Sequence, residues 1–342
     1  MRNRAGVFLL VLLLGTSLCP ISARGAYPDS GRVRLFLDIQ QFLYNDRFEE
    51  ADSVCTVLTE AYPDDPAGHV FEAAVMVGRM TNREEDIYHD RFLPLLDSTE
   101  TLIDSALRGA DLERTSWLYL FRGHIEAYRS LYQSRFGSFI AAVKSGMRAM
   151  DNYEKGLAAD SLNYDLYLGV GSYHYWKSAK AGFLRWLMIF KNEKKKGIDE
   201  LRLAADSSTV FRDAARSALV WVWLNEKQYD SVLAIGREFA LKYPGGKAVL
   251  WPMAQAYFEK RQYRSAIDAY EDIRREIAGD PGNYFNMIQC DYEISRCYER
   301  MNLTDSASVV ADRVMEYYPR IPNKVLRQER PKLKFLRRLG RL

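Results

Sequence analysis

The chain has 342 residues, of which 48% are hydrophobic and 27% charged, with 11 prolines, 21 glycines and four cysteines. This composition excludes a disordered chain and a collagen-like repeat, and four cysteines are too few for a disulfide-stapled scaffold. The formal net charge of +3 is unevenly distributed, because residues 324–342 carry +7 and residues 27–323 carry −7. The chain after residue 26 is therefore neutral, which disfavours a nucleic acid as partner.

Residues 1–26 have the pattern of a secretory signal peptide. Arg2 and Arg4 precede an uncharged stretch over 5–19, and small residues follow it. The stretch is shorter than the roughly 20 residues that span a bilayer. We therefore expect an exported protein that is periplasmic or extracellular, with an uncleaved membrane anchor as the alternative.

Three cysteines follow this segment: Cys55, Cys290 and Cys297. The last two fall on one predicted helix about 10 Å apart, beyond the ~7 Å between Cα atoms that a disulfide allows. We expect all three to be buried free thiols.

Residues 34–66 contain the first predicted helix pair. Aromatic residues flank the turn, small and apolar residues recur along the second helix, and a proline follows it. These residues are Phe42, Phe48, Ala51, Cys55, Leu58 and Pro63. A spacing of three and four residues places side chains on one helix face, and a proline disfavours helical geometry in the residue before it. This segment predicts an antiparallel helical hairpin.

The middle of the chain keeps the helical period but changes the helix lengths. Helix pairs are predicted over 67–80 and 86–109, and over 112–133 and 136–158. In the second pair, apolar residues of one helix are expected to face those of the other. These are Trp117, Leu120, Ile125 and Tyr128 against Phe139, Ala142, Met147 and Met150.

A further pair begins at Tyr167, and an apolar insertion over 177–196 delays its second helix, predicted over 197–205. Residues 182–190 read GFLRWLMIF around Trp186, and lysines follow. Three interpretations are open: an extra buried helix, a lid over a groove, or a helix that lies in a membrane interface.

The clearest repeat covers 213–278, where the same residue types return after 34 positions. One series is Tyr229, Val232, Gly236, Phe239 and Pro244, and the next is Tyr263, Ala266, Tyr270 and Ile273. A related series over 285–319 is Tyr298, Ala307, Ala311, Val314 and Pro319. One hairpin cannot bury its own apolar face, so the hairpins must stack. Strand signals are almost absent.

These series resemble the tetratricopeptide repeat (TPR) family. The resemblance implies an all-α, right-handed superhelical solenoid of antiparallel hairpins over 27–323, with about 14 helices in seven hairpins. The Tyr-Pro hairpin ends, as in LTEAYPDDP and FALKYPGGK, are similar to those of exported bacterial envelope proteins. This similarity implies a protein–protein interaction scaffold of the cell envelope, which binds a peptide or helix in its concave groove.

First helices of such hairpins line the concave surface, so their polar and aromatic residues are the candidate partner contacts. The candidates are Tyr173, Trp176, Lys177, Arg216, Asn225, Gln255 and Glu259, together with Trp186 of the apolar insertion. For the aromatic members, packing between hairpins is the competing role.

No pattern of catalytic residues accompanies the repeats. None of the four histidines lies in a HExxH arrangement, and no Gly-x-Ser-x-Gly elbow or phosphate-binding glycine loop occurs. The acidic cluster at 84–90 is interpreted as a solvated helix start. We predict a protein without catalytic residues, bound metal or cofactor.

Residues 324–342 form a basic tail. The part before Pro331 is expected to cap the open end of the helix array, and apolar and basic residues are interspersed after it. Docking on the acidic body and binding to an anionic membrane surface are both open. Together with 182–196, the tail defines the alternative function, a peripheral membrane or lipid-interacting protein.

Overall fold

The computed structural model describes residues 27–180 and 192–340. Regular secondary structure in these two ranges is helical, without a strand, which confirms the all-α prediction. The helices are α1 (Ser30–Tyr44), α2 (Phe48–Ala61), α3 (Ala67–Arg83), α4 (Phe92–Leu107), α5 (Leu112–Phe136), α6 (Phe139–Ala159), α7 (Tyr167–Lys180), α8 (Lys194–Ser207), α9 (Arg212–Asn225), α10 (Tyr229–Lys242), α11 (Leu250–Glu259), α12 (Tyr263–Ala278), α13 (Tyr284–Arg300), α14 (Thr304–Tyr317), α15 (Asn323–Gln328) and α16 (Arg330–Leu339). The predicted signal-peptide segment and most of the apolar insertion, including Trp186, lie outside the described ranges.

Four turns between neighbouring helices share one backbone form. Each contains a residue with φ between 55° and 60°, and these residues are Asp46, Lys227, Arg261 and Asn302. The next N–H bonds to the carbonyl five positions earlier, as Gln228 does with Trp223 (2.8 Å) and Gln262 with Tyr257 (2.9 Å). This Schellman arrangement satisfies carbonyl groups that a helix end leaves free. The sequence repeat therefore encodes a turn as well as two apolar faces.

Helices that follow one another in the chain pack against each other, and the odd-numbered helices form a layer of their own. From α1 to α11, each odd-numbered helix also contacts the next odd-numbered helix. Buried side chains fill the space between helices, including Phe36, Phe71 and Phe121. The Phe36 ring lies 4.8 Å from that of Phe71, so α1 and α3 share one apolar core.

Cys55, Cys290 and Cys297 are buried free thiols, as predicted. Burial raises the pKa of the Cys55 thiol, which keeps its sulfur protonated. These cysteines serve as small apolar residues of the core.

Helix α6 departs from the expected facing of its side chains. Phe139 is 78% exposed and Met147 is 59% exposed, although both were expected to face α5. The other two predicted residues, Ala142 and Met150, are buried as expected, and Ser145 and Ala149 share their face. Small side chains on this face allow the two backbones to approach closely, and the larger residues at 139 and 147 point away from the contact.

Helix α4 also begins later than predicted, at Phe92 rather than near residue 86. Glu84 adopts φ 55° and ends α3, and residues 84–91 form a loop. The acidic cluster is thus not at a helix start. Asp86 accepts a hydrogen bond from the Tyr132 hydroxyl (2.8 Å), and Glu84 pairs with Arg135.

The second half of the chain returns to the first helices. The Gln40 amide donates to the Val210 carbonyl (3.1 Å), near the C-terminal end of α1. The Lys247 N–H donates to the Asp46 carboxylate (2.9 Å), just before α11. The Asn286 amide of α13 donates to the carbonyl of Asn82, at the end of α3 (2.6 Å). These contacts join early and late parts of the inner layer, so the layer encloses a space.

The basic tail forms α15 and α16, and α16 packs on α13 and α14. Leu333 and Leu336 are buried in this contact, and the Phe335 ring lies 5.0 Å from that of Tyr292. Arg338 pairs with Glu299 of α13 (2.7 Å). One face of α16 therefore docks on the body, where Lys332 also lies over the Phe285 ring of α13 (4.9 Å), and Lys334 and Arg337 are exposed.

Candidate binding cavity

The inner layer surrounds a cavity of about 1080 Å³, with lining residues from α1, α3, α5, α7, α9, α11 and α13. Small-molecule pockets usually measure about 300–1,000 Å³, so this space is large enough for a sizeable ligand. The cavity is the candidate functional site.

One wall of the cavity is an aromatic cluster of Tyr44, His124, Tyr128, Tyr153 and Phe211. His124 Nδ1 and the Tyr153 hydroxyl are hydrogen bonded at 2.9 Å, and the Phe211 ring lies 4.8 Å from the imidazole. Burial lowers the pKa of His124 to about 4, so this histidine is neutral near pH 7. The hydroxyls of Tyr44 and Tyr128 have no hydrogen-bond partner in the described residues. Two phenol groups are thus available to a ligand.

Two glycines hold the Tyr153 ring in the aromatic cluster. A Cβ on Gly123 of α5 would lie 2.2 Å from a ring atom, and so would a Cβ on Gly169 of α7. The Tyr153 ring, which belongs to α6, is therefore held between the backbones of α5 and α7. This close approach is the physical reason for glycine at both positions.

Another wall carries residues from the inner faces of α9, α11 and α13. Positions one repeat apart lie side by side there, and the first row contains Trp221, Gln255 and Gln289. One turn further along, Glu259 and Glu293 form a second row. The Gln289 amide donates to Glu293 (3.0 Å), whereas Gln255 has no hydrogen-bond partner in the described residues.

The charges that line the cavity are almost completely paired. Each lining cation has an acidic partner, and the pairs are Lys247–Asp46 (2.8 Å), Arg135–Glu84 and Arg296–Glu293 (2.7 Å). Among the described lining residues, Glu259 alone is a charged group without a hydrogen-bond or ion-pair partner. Its side chain is exposed. The cavity therefore carries one uncompensated negative charge.

Three of the eight predicted contact residues line the cavity: Tyr173, Gln255 and Glu259. Gln255 and Glu259 share the inner face of α11 at a spacing of four residues. Tyr173 belongs to α7, where the Lys177 ammonium lies 5.2 Å from its ring centre.

Four other predicted residues, all described, do not line the cavity: Trp176, Lys177, Arg216 and Asn225. Trp176 packs on the Tyr175 ring, and the Asn225 amide donates to the Tyr175 hydroxyl (2.7 Å). Lys177 pairs with Glu193 (2.6 Å), and Arg216 pairs with Glu238 of α10. These groups hold helices together, so the structure gives them packing partners. Trp186, the eighth residue, lies outside the described ranges.

Trp221 and the aromatic cluster were not among the residues predicted to contact a partner. The repeat spacing from Trp221 to Gln255 was a usable signal, because equivalent positions of a repeat lie side by side. No spacing in the sequence indicated that Tyr44 and Tyr128 come together, since the helix pairs between them have irregular lengths.

Within 27–180 and 192–340, no group of three histidine, cysteine or acidic side chains is placed to hold a metal ion. The helices of the same ranges include none with the length and apolarity needed to span a bilayer. No protein-family model matches the sequence, and no curated protein matches it significantly.

Proposed function

We propose that this protein is an exported, non-catalytic scaffold of the bacterial cell envelope. In this proposal it is a right-handed TPR-like solenoid of about seven hairpins, and its cavity holds a peptide segment or helix of a partner protein. It acts by binding and positioning that partner.

The observation that carries the proposal is the set of unused hydrogen-bonding groups in the cavity. The Tyr44 and Tyr128 hydroxyls, the Gln255 amide and the Glu259 carboxylate lack hydrogen-bond partners among the described residues. Burial raises the pKa of both phenols, which keeps them neutral hydrogen-bond donors, and the side chains of Gln255 and Glu259 are exposed. A ligand with its own donors and acceptors would satisfy all four groups, and a peptide backbone carries one donor and one acceptor per residue.

The helix order supports the solenoid part of the proposal. Helices pack in chain order, and the same Schellman turn recurs at Lys227 and Arg261, one repeat apart. Repeat proteins present such inner layers as binding surfaces.

The test is site-specific photo-crosslinking in the native host. A benzoylphenylalanine replaces Gln255 in the cavity, and a matched variant carries it at Asp268, an exposed residue of α12 that does not line the cavity. We expect a discrete protein adduct from position 255 that is absent from position 268. The same adducts from both positions, or none from 255, would contradict binding in the cavity.

A second candidate function, contact with an anionic membrane surface, is favoured by the exposed cations of α15 and α16. They are Lys324, Arg327, Arg330, Lys334, Arg337 and Arg338. Each basic residue near an anionic surface contributes about 1 kcal/mol, less at high salt. The apolar residues Leu333 and Leu336 are already buried, so the contact would be electrostatic.

Cosedimentation with phosphatidylglycerol vesicles tests this candidate. Arg330→Glu combined with Lys334→Glu should release the protein from the vesicles, and added salt should do the same. Equal sedimentation of this variant and the unmodified protein would leave the tail without a membrane role.

A further inference from the structure

We propose that the cavity recognises a basic peptide segment, in which a lysine or arginine side chain pairs with Glu259 and packs on Trp221. This inference rests on the proposed peptide-binding function and adds the chemical class of the ligand. It follows from the charge balance of the cavity, from a comparison of two neighbouring helices and from the exposed aromatic surface.

The charge balance favours a cation. Lys247, Arg135 and Arg296 are each neutralised by an acidic partner, so no lining cation is free to bind an anion. Glu259 keeps its negative charge uncompensated in the described structure. A ligand carboxylate or phosphate would meet only repulsion there, whereas an ammonium or guanidinium group would form a charge-assisted hydrogen bond.

Helix α13 already contains the arrangement that we infer for the ligand. Arg296 pairs with Glu293 (2.7 Å), and its guanidinium lies 4.5 Å from the Phe258 ring centre and 5.4 Å from that of Tyr292. One acid, one cation and two aromatic rings thus form a complete cation site within the cavity wall.

The equivalent position on α11 has the acid but lacks the cation. Glu259 occurs one repeat before Glu293, and the residue one repeat before Arg296 is Gln262. Helix α11 ends at Glu259, whereas α13 continues to Arg300, so α11 has no further turn on which to place an arginine. The ligand supplies the missing cation.

The cavity lining also includes an exposed aromatic surface. Trp221 of α9 is 40% exposed and lines the cavity at the position that Gln255 occupies on the neighbouring helix α11. An indole face is the best aromatic partner for a cation. The free Gln255 amide, one turn before Glu259, is placed to bond the peptide backbone beside the bound side chain.

The experiment uses a phage-displayed library of random peptides, selected on the purified protein and on two variants. Glu259→Gln removes the charge and keeps the shape of the side chain. Glu276→Gln removes one charge from an exposed position on α12 that does not line the cavity. We expect enrichment of lysine and arginine on the unmodified protein and on the Glu276 variant, and none on the Glu259 variant.

Fluorescence anisotropy then compares the most enriched peptide with a copy in which norleucine replaces each lysine. We expect the lysine peptide to bind the Glu259→Gln variant about tenfold more weakly than it binds the unmodified protein. Thermal unfolding followed by circular dichroism establishes that both variants are folded.

The outcomes separate the two levels of the proposal. If no peptide is enriched, peptide binding in the cavity fails and the present inference fails with it. If peptides are enriched without basic residues, or if the lysine peptide binds the Glu259 variant unchanged, only the preference for a basic segment is wrong.

Discussion

Two regions of the inner layer are built differently. In the regular region, α10 and α12 begin one repeat apart, at Tyr229 and Tyr263, and so do α11 and α13, at Leu250 and Tyr284. In the middle region, α3, α5 and α7 begin at Ala67, Leu112 and Tyr167, at longer and unequal intervals. Both regions contribute walls to the same cavity.

The difference shows how spacing decides which side chains a wall can present. Equal spacing brings equivalent positions side by side, so Gln255 and Gln289 form a row. In the unequally spaced region no such rows form, and one large ring, Tyr153, is held between the backbones at Gly123 and Gly169. The regular region therefore carries rows of polar groups such as Gln255 and Glu259, and the middle region supplies an aromatic wall.

The largest effect is expected from breaking the regular region at Asp291 of α13. Its fully buried carboxylate accepts hydrogen bonds from Arg274 of α12 (2.8 Å) and from the Tyr317 hydroxyl of α14 (2.9 Å). Asp291→Ala leaves the guanidinium without its partner, so the free energy of unfolding should fall by about 3–5 kcal/mol. Urea unfolding measures this loss.

The control for this prediction is Asp272→Ala on α12, which removes an exposed ion pair with Arg275. Exposed pairs contribute about 0–1 kcal/mol, so this variant should be close to the unmodified protein. Similar losses for the two variants would show that burial of Asp291 does not join α12, α13 and α14.

A somewhat smaller effect is expected from disturbing the middle region at Gly169. In Gly169→Val, the new Cβ would lie 2.2 Å from the Tyr153 ring, and Gly123 blocks the ring from moving the other way. Overpacking of this kind costs about 1–3 kcal/mol, and we expect the upper end. Combining it with Tyr153→Ala should recover part of the loss in urea unfolding. A stable Gly169→Val protein would show that the two backbones do not hold the Tyr153 ring.

Much of the fold was predictable from the sequence because the repeat encodes turns as well as helix faces. Trp223 and Tyr257 lie one repeat apart, and the carbonyl of each accepts the hydrogen bond that closes its own Schellman turn. The facing of α6 was not predictable in this way, since Phe139 and Met147 share the apolar character of core residues. The small residues Ala142 and Ala149 decided which face approaches α5.

The site was predictable only on its regular side. Gln255 and Glu259 follow from their place on a first helix, because such helices form the inner layer. The aromatic wall depends on contacts between distant parts of the chain, such as the bond from Gln40 to Val210. Local periodicity carries no information on contacts of this range, so Tyr44 and Tyr128 were missed.

The smallest effect is expected from a change of pH, which acts on the middle region through His124 of the aromatic wall. Its pKa is about 4 in the folded protein against 6.5 for an ordinary histidine, so only the unfolded chain gains a proton as pH falls from 6.5 toward 4. This histidine should therefore lower the free energy of unfolding by about 2 kcal/mol between pH 7 and pH 5. His124→Asn should lack that part of the decrease in urea unfolding, with parallel behaviour of the two proteins from pH 7 to 8. Identical decreases down to pH 5 would mean that the imidazole is protonated within the folded aromatic wall.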